Sequence, residues 1–210
     1  MSFMNWIYPT SCILCGEPQT EAYGMCSDCR KRMQEIGKDR SVRHRHCIGA
    51  ELCAATYRDE LKTAIIMLKF YGKRENVIPI AQIMREAWEA HGLAKPDCIT
   101  YVPLSPLQKY RRGFNQSEEL ARAIAEEWEL PYLPTLRRSI FSRRQSTLNI
   151  KQRYANAKRS FHVRKACDLT GKRVLLIDDI VTTGATVGAC AAQLRSIGAE
   201  HIWVLAAAKA

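Results

Sequence analysis

Two adjacent carboxylates, Asp178 and Asp179, close the apolar run Val174-Leu-Leu-Ile177, and a turn rich in hydroxyls follows, Thr182-Thr-Gly-Ala-Thr186. The apolar run reads as a buried strand and the residues after Gly184 as a helix. The turn between them offers free backbone N–H groups, three hydroxyls and a helix N-terminus, all suited to a phosphate. Gly184 lets the backbone approach such an anion closely. Carboxylates alone would repel phosphate; they fit if they hold sugar hydroxyls or a magnesium ion that bridges to it. The ligand that needs both halves is a phosphorylated sugar. A plain helix cap at Asp179 or Thr183 would need one such residue, whereas two acids and three threonines fall within nine positions here.

A second constellation is Cys12, Cys15, Cys26 and Cys29, spaced C-x2-C-x10-C-x2-C. Each C-x-x-C puts two thiolates on one tight turn, and two facing turns give the tetrahedral sulfur shell that zinc prefers. A closed shell leaves no open position, so this metal is expected to fold the segment and to do no chemistry. Cys98 and Cys190 lie in apolar patterns and read as core. Cys47 and Cys53, with His44 and His46 nearby, are candidates for a second site, although their C-x5-C spacing is poor for one.

The charge is as uneven as the chemistry. The 210 residues hold 32 Lys and Arg against 21 Asp and Glu, a net +11. From Arg137 to Lys165 there are ten basic residues and no acid, which leaves 22 against 21 elsewhere. Arg137, Arg138, Arg143, Arg144, Lys151, Arg153, Lys158 and Arg159 are therefore candidate contacts to an anion such as single-stranded DNA. Phe141, Tyr154 and Phe161 lie among them as candidate stacking residues; the plain alternative is a solvated loop. Hydrophobic residues at 47% and charged ones at 25% are ordinary for a globular chain. The longest apolar run, Ile202 to Ala208, is seven residues, too short to span a membrane. Met1 to Tyr8 lacks the basic start and apolar stretch of a secretory leader, so a cytoplasmic protein without disulfides is expected.

The elements that must position these groups are visible as periodicities. A short helix follows the cysteines, from Ser27 to Gly37. Residues 38 to 50 are basic and unpatterned. Leu61, Ala64, Ile65 and Leu68 mark a helix ended by Gly72, and Val77 to Trp88 mark another that closes at Gly92. Cys98 to Val102 reads as a buried strand, 117 to 128 as a helix, and the region near Tyr132 as a short strand. Between 137 and 165 no strand is evident, though Lys151 to Lys158 has helical character. The last unit is βαβ: strand Arg173 to Asp178, helix Gly184 to Ile197, Gly198 as cap, strand His201 to Ala206. The alternation predicts an α/β fold with a parallel sheet flanked by helices. The expected partition is a small zinc-knuckle domain over 1–37, a basic linker over 38–51 and a sheet domain over 52–210.

The strand–Asp-Asp–Thr-Thr-Gly stretch resembles the phosphoribosyl-pyrophosphate (PRPP) loop of type I phosphoribosyltransferases. The rest of the chain is similar to the ComF family: the cysteine knuckle, Leu68-Lys-Phe70 with Gly72, Val102-Pro-Leu104, Arg112-Gly-Phe-Asn-Gln116, then Gln145, Leu148, Arg153, Asn156 and Phe161. The likeness covers nearly the whole chain. It departs at Ser105, where the family often has His, at Cys47 and Cys53, where it often has a further C-x-x-C, and at Arg143-Arg144, where it usually has Thr-Pro. The resemblance implies that Asp178 and Asp179 take the ribose of PRPP, with magnesium, and that Thr182, Thr183, Gly184, Ala185 and Thr186 take its 5′-phosphate. It places Leu104 and Ser105 on the pyrophosphate side and Arg112 on a mobile loop that closes over it, so that Asp178, Asp179 and Arg112 would be the catalytic set. A hood that reads a base would have to come from residues 52 to 95, where no residue names a base. Two functions follow. One is an accessory factor of competence and DNA uptake during natural transformation, working beside a ComFA-type helicase; the other is a working phosphoribosyltransferase.

Overall fold

Strands β6 (Arg173–Val181) and β7 (His201–Lys209) are apolar at consecutive positions, and such strands need cover on both faces. The computed structural model supplies it; it describes residues 11–18, 24–38, 42–45, 48–139, 160–164 and 167–210. β6 and β7 lie side by side in a five-stranded sheet. β3 (Cys98–Tyr101) flanks β6 and β2 (Ile48–Thr56) flanks β7, all parallel. β1 (Arg43–Arg45) pairs antiparallel at the outer edge of β2. A separate antiparallel pair joins β4 (Leu136–Arg138) to β5 (Phe161–Val163).

The period-2 alternation of side chains gives the sheet two cores. On one face Leu175, Ile177 and Leu205 pack with α2 (Asp59–Tyr71), α3 (Val77–Ala90) and α5 (Gln116–Glu127) through Ile65, Leu68, Ile80, Met84, Leu120 and Ile124. On the other face Val174, Leu176, Val204 and Ala206 pack with α6 (Ala185–Arg195) through Val187, Cys190 and Leu194, and with Phe161 of β5. At the N-terminal ends of β3 and β6, the Arg173 guanidinium and backbone amide grip Asp97 at 2.7 and 2.8 Å and hold its carboxyl down to about 2. Among the described residues, no helix is long and apolar enough to cross a membrane.

Two expectations are corrected. Within 38–51, the described residues include sheet strands: Arg43–Arg45 and Ile48–Thr56 are strands, and Glu51 pairs in register with Arg43 and Val204. β2 reads poorly as a strand because its sequence, IGAELCAAT, is built of small residues with a buried acid. Those small residues fit against the alanines of β7, with Cys53 opposite Ala206 and Ala55 opposite Ala208. The region from 137 also carries strands, β4 and β5, too short for periodicity to show. Residues 151–158, expected to be helical, lie outside the described residues.

The cysteine segment shares the first core. Cys12, Leu14, Met25, Cys29 and Met33 are buried in it together with sheet residues. Helix α1 (Ser27–Lys38) is pinned to α3 through Glu86, which accepts from Arg30 at 2.6 Å and Gln34 at 3.0 Å.

Candidate functional site

Asp178 and Asp179 close the unbroken run of buried residues that begins at Val174 in β6, and are 7% and 9% exposed. Asp178 Oδ1 accepts from Ser117 Oγ at 3.0 Å and from the Asp179 amide at 2.9 Å. Asp179 Oδ1 accepts from the Ile180 amide at 2.7 Å, and its Oδ2 lies 2.6 Å from Lys69 Nζ. Burial, then the neighbouring charge of Asp179, push the Asp178 carboxyl well above the usual range; Lys69 and Ser117 pull against them. The Asp178 carboxyl is thereby biased toward its neutral form, which lowers the negative charge buried in this part of β6. Lys69 balances what remains.

The chain then turns through Thr182 and Thr183 to Gly184, which caps α6 at φ 80. Only a residue free of Cβ strain holds that left-handed conformation cheaply. Thr183 Oγ1 accepts weakly from Ala185 N at 3.4 Å, and Lys209 Nζ donates to the Thr182 carbonyl. Gly184 has no side chain with which to cap α6, so the first-turn amides, with Ala185 N engaged weakly by Thr183, begin at the turn that follows the acid pair along the chain. Sequence reasoning found this turn but missed Lys69 and Ser117 as neighbours of the acids. Lys69 stands inside the Leu68-Lys-Phe70 motif, which was the available clue. Gly72, at φ 67, ends α2 just after it.

The residues expected on the pyrophosphate side lie at the start of a helix or beside it. Ser105 caps a helix, α4 (Pro106–Arg112): its Oγ accepts from the Gln108 amide at 3.3 Å and donates to Gln108 Oε1 at 3.0 Å. Its hydroxyl is therefore engaged in a capping box. Leu104 lines a cavity described below. Arg112, expected on a mobile loop, is the last residue of α4; it donates to Gln116 Oε1 at 3.0 Å and stacks 5.2 Å above the Phe70 ring. The Arg112-to-Gln116 motif works as a brace: Asn115 donates to the Val102 carbonyl at 3.0 Å and its Oδ1 accepts from Ser117 N at 3.1 Å, while Phe114 is buried. That brace aims Ser117 at Asp178.

The sulfur atoms of Cys12, Cys15, Cys26 and Cys29 all lie within 4.8 Å of one another, and Cys15 and Cys26 are 3.8 Å apart. Zinc bound to sulfur at about 2.3 Å needs tetrahedral edges of about 3.8 Å, so the set fits the ion. Burial raises the Cys12 thiol, but backbone amides of Cys15, Cys26 and Leu14 outweigh it and bring it down to about 7. Burial pushes Cys29 far the other way. Four thiolates cannot coexist there without a cation, and a dication supplies the compensation. Arg32, 3.3 Å from Cys29 Sγ, adds to it.

Of the basic candidates, Arg137 is exposed on β4 and Arg138 is half-buried, with its guanidinium 5.2 Å over Phe161. Arg143, Arg144, Lys151, Arg153, Lys158 and Arg159 lie outside the described residues, as do Phe141, Gln145, Leu148, Tyr154 and Asn156. So do His46 and Cys47 of the proposed second metal site. Its described members differ: Cys53 is buried, with its thiol pushed up to about 11 by that burial, and His44 is exposed against the Gly49 carbonyl.

A parallel sheet whose strand ends in an acid pair, followed by a threonine turn onto a helix, defines a phosphoribosyltransferase-type domain, here joined to a four-cysteine zinc module. Comparison with known proteins agrees on both halves. The sequence matches the phosphoribosyl transferase domain over residues 102–210 and the double zinc ribbon domain over residues 3–55. It is 27% identical to competence protein F of Haemophilus influenzae, each chain covered in full. It is 31% identical to the DNA utilization protein YhgH of Salmonella typhi, over 71% of this chain and 68% of that one. It is 26% identical to competence protein ComFC of Bacillus subtilis, over 84% and 68%. The chain belongs to the ComF family of phosphoribosyltransferase-like proteins with an N-terminal zinc knuckle.

Proposed function

We propose that this chain binds PRPP with magnesium at the turn after β6 and serves as a cytoplasmic accessory factor in the handling of incoming DNA, with affinity for single strands. The observation that carries the PRPP half is the buried acid pair of β6, followed within a few residues by the glycine-capped turn into the N-terminus of α6. The Thr182–Thr186 turn would take the 5′-phosphate, and Asp178 and Asp179 the ribose hydroxyls and the metal. The DNA half is supported by the acid-free basic stretch from 137 to 165 and by relatives whose names are competence protein and DNA utilization protein. A ComFA-type helicase is the partner this role calls for. The partition into a zinc module and a sheet domain belongs to the same proposal, with the join placed in the shared core.

A second reading, a phosphoribosyltransferase that modifies or salvages a base, is favoured by the intact acid pair, since positioning and electrostatics are most of what such a reaction needs. Titration calorimetry with PRPP, with and without magnesium, tests the site. Asp179→Asn keeps the shape but removes charge and should weaken magnesium-dependent binding about tenfold; Gly184→Val forces a β-branched residue into a left-handed turn and should weaken it more. Equal affinity for wild type and both variants would move the ligand elsewhere. Pyrophosphate release with a panel of bases then decides between the readings.

A further inference from the structure

Among the described residues, the exposed large apolar side chains are Met67, Phe70, Tyr71, Leu107 and Tyr110. All of them sit at the end of α2 or on α4, and the Arg112 guanidinium over the Phe70 ring joins the two helices into one surface. Phe70, Tyr71 and Tyr110 are 66%, 69% and 87% exposed, unusual for aromatic rings in a chain with two well-closed cores. Cations interleave with them: Lys109, Arg111 and Arg112 lie in the same short helix, whose sequence PLQKYRR holds no acid. The nearby acid Glu118 is already paired, with Lys109 at 2.9 Å and Arg122 at 3.3 Å.

Beside this face lies a cavity of about 530 Å³, walled by Leu104, Lys109, Tyr110, Arg137, Arg138 and Arg164 together with prolines and Gly113. The buried Nε of Arg138 has no hydrogen-bond partner among the described residues. Guanidinium groups around an open hollow, with an aromatic ring at its rim, match a phosphate followed by an unstacked base.

We propose that the α2–α4 face is a stacking platform for single-stranded nucleic acid, with bases on Tyr110, Tyr71 and Phe70 and backbone phosphates in the basic cavity. The proposal rests on the DNA-binding reading above and moves the base contacts from the 137–165 stretch to a different face. It also sets the strand beside the phosphosugar turn, because Lys69, which touches Asp179, is the residue before Phe70. A peptide is the less favoured occupant, since arginine-flanked aromatics with no acid of their own suit a regular polyanion better.

The test is fluorescence anisotropy with an oligothymidine and with an abasic oligomer of equal length, at one salt concentration. Tyr110→Ala and Tyr71→Ala should each weaken oligothymidine binding roughly 5- to 150-fold, with circular dichroism unchanged. Neither should alter the weaker binding of the abasic strand. Tyr110→Trp, which keeps a stacking face, should retain wild-type affinity, so a loss shared by Ala and Trp variants would point to folding and overturn the platform. Wild type that binds oligothymidine while both Ala variants bind it equally well overturns the platform and leaves DNA binding standing. Wild type that binds neither strand overturns both.

Discussion

Lys69 reaches Asp179 from α2 at 2.6 Å, with the two side chains only 14% and 12% exposed. A sugar hydroxyl or magnesium ion arriving at the acid pair has to share or displace that ammonium. Lys69→Met should therefore act in two directions. Breaking a mostly buried pair costs about 3 kcal/mol, which for a chain of this size lowers Tm by about 6–12 °C. Magnesium, relieved of a positive competitor, should restore more of the lost Tm in the variant than it adds to wild type. Thermal melts with and without magnesium check this, and equal magnesium shifts would show that the metal does not meet Lys69. The acids and threonines were legible because they are contiguous: strand, carboxylates and turn occupy one short stretch. Lys69 and Ser117 come from α2 and α5, and spacing along one segment says nothing about what another brings to it. The resemblance flagged Leu68-Lys-Phe70 without stating its role, and the ion pair to Asp179 is a role that only three dimensions display.

Elements were legible where periodicity is long and clean. α2, α3, α5 and the terminal βαβ unit lie within a few residues of expectation because their apolar stripes run for three turns or fill a strand. β2 failed the same test for a physical reason: a strand squeezed between β1 and the alanine-rich β7 needs small residues, and these carry no strand signature. α4 is too short to show a stripe, and its capping box at Ser105 and Gln108, with Pro106 at the first helical position, was the signal available. The zinc segment illustrates the cost of reading elements singly. From sequence, Cys26→Ser should unfold the N-terminus and spare the sheet. With Met25, Cys29 and Met33 in the same core as Ile80 and Met84, and Arg30 held by Glu86, loss of metal should uncover α3 as well. Structural zinc of this kind is worth on the order of 10 kcal/mol of apparent binding free energy. Metal analysis should return about one zinc per chain, and Cys26→Ser or chelation should lower a single thermal transition of the whole chain. Two transitions, with the later one unmoved, would show the modules to be independent.

At the scale of the whole molecule, the net +11 is concentrated: ten of 32 basic residues fall in the acid-free stretch from 137 to 165. Arg137 and Arg164 of that stretch sit at the cavity beside α4, so the sequence stretch and the aromatic face meet at one place. A small phosphosugar and a polyanion would both be drawn there, but salt tells them apart. Each phosphate of a single strand that a cation neutralises releases condensed counterions, and log affinity falls by about 0.7 per log unit of salt. Engagement of about five cations gives a slope near −3.5. Changing Arg143 and Arg144 together to Ala should make the slope shallower by about 1.4 while leaving PRPP binding nearly intact. Stacking variants such as Tyr110→Ala should do the opposite, lowering affinity at every salt concentration with the slope preserved, because a ring releases no ions. Anisotropy titrations between about 50 and 300 mM salt separate the two effects. A slope near zero in wild type, or DNA affinity unchanged after four or more of the ten charges are neutralised, would leave the basic stretch a solvated surface and remove the electrostatic half of the DNA-binding reading.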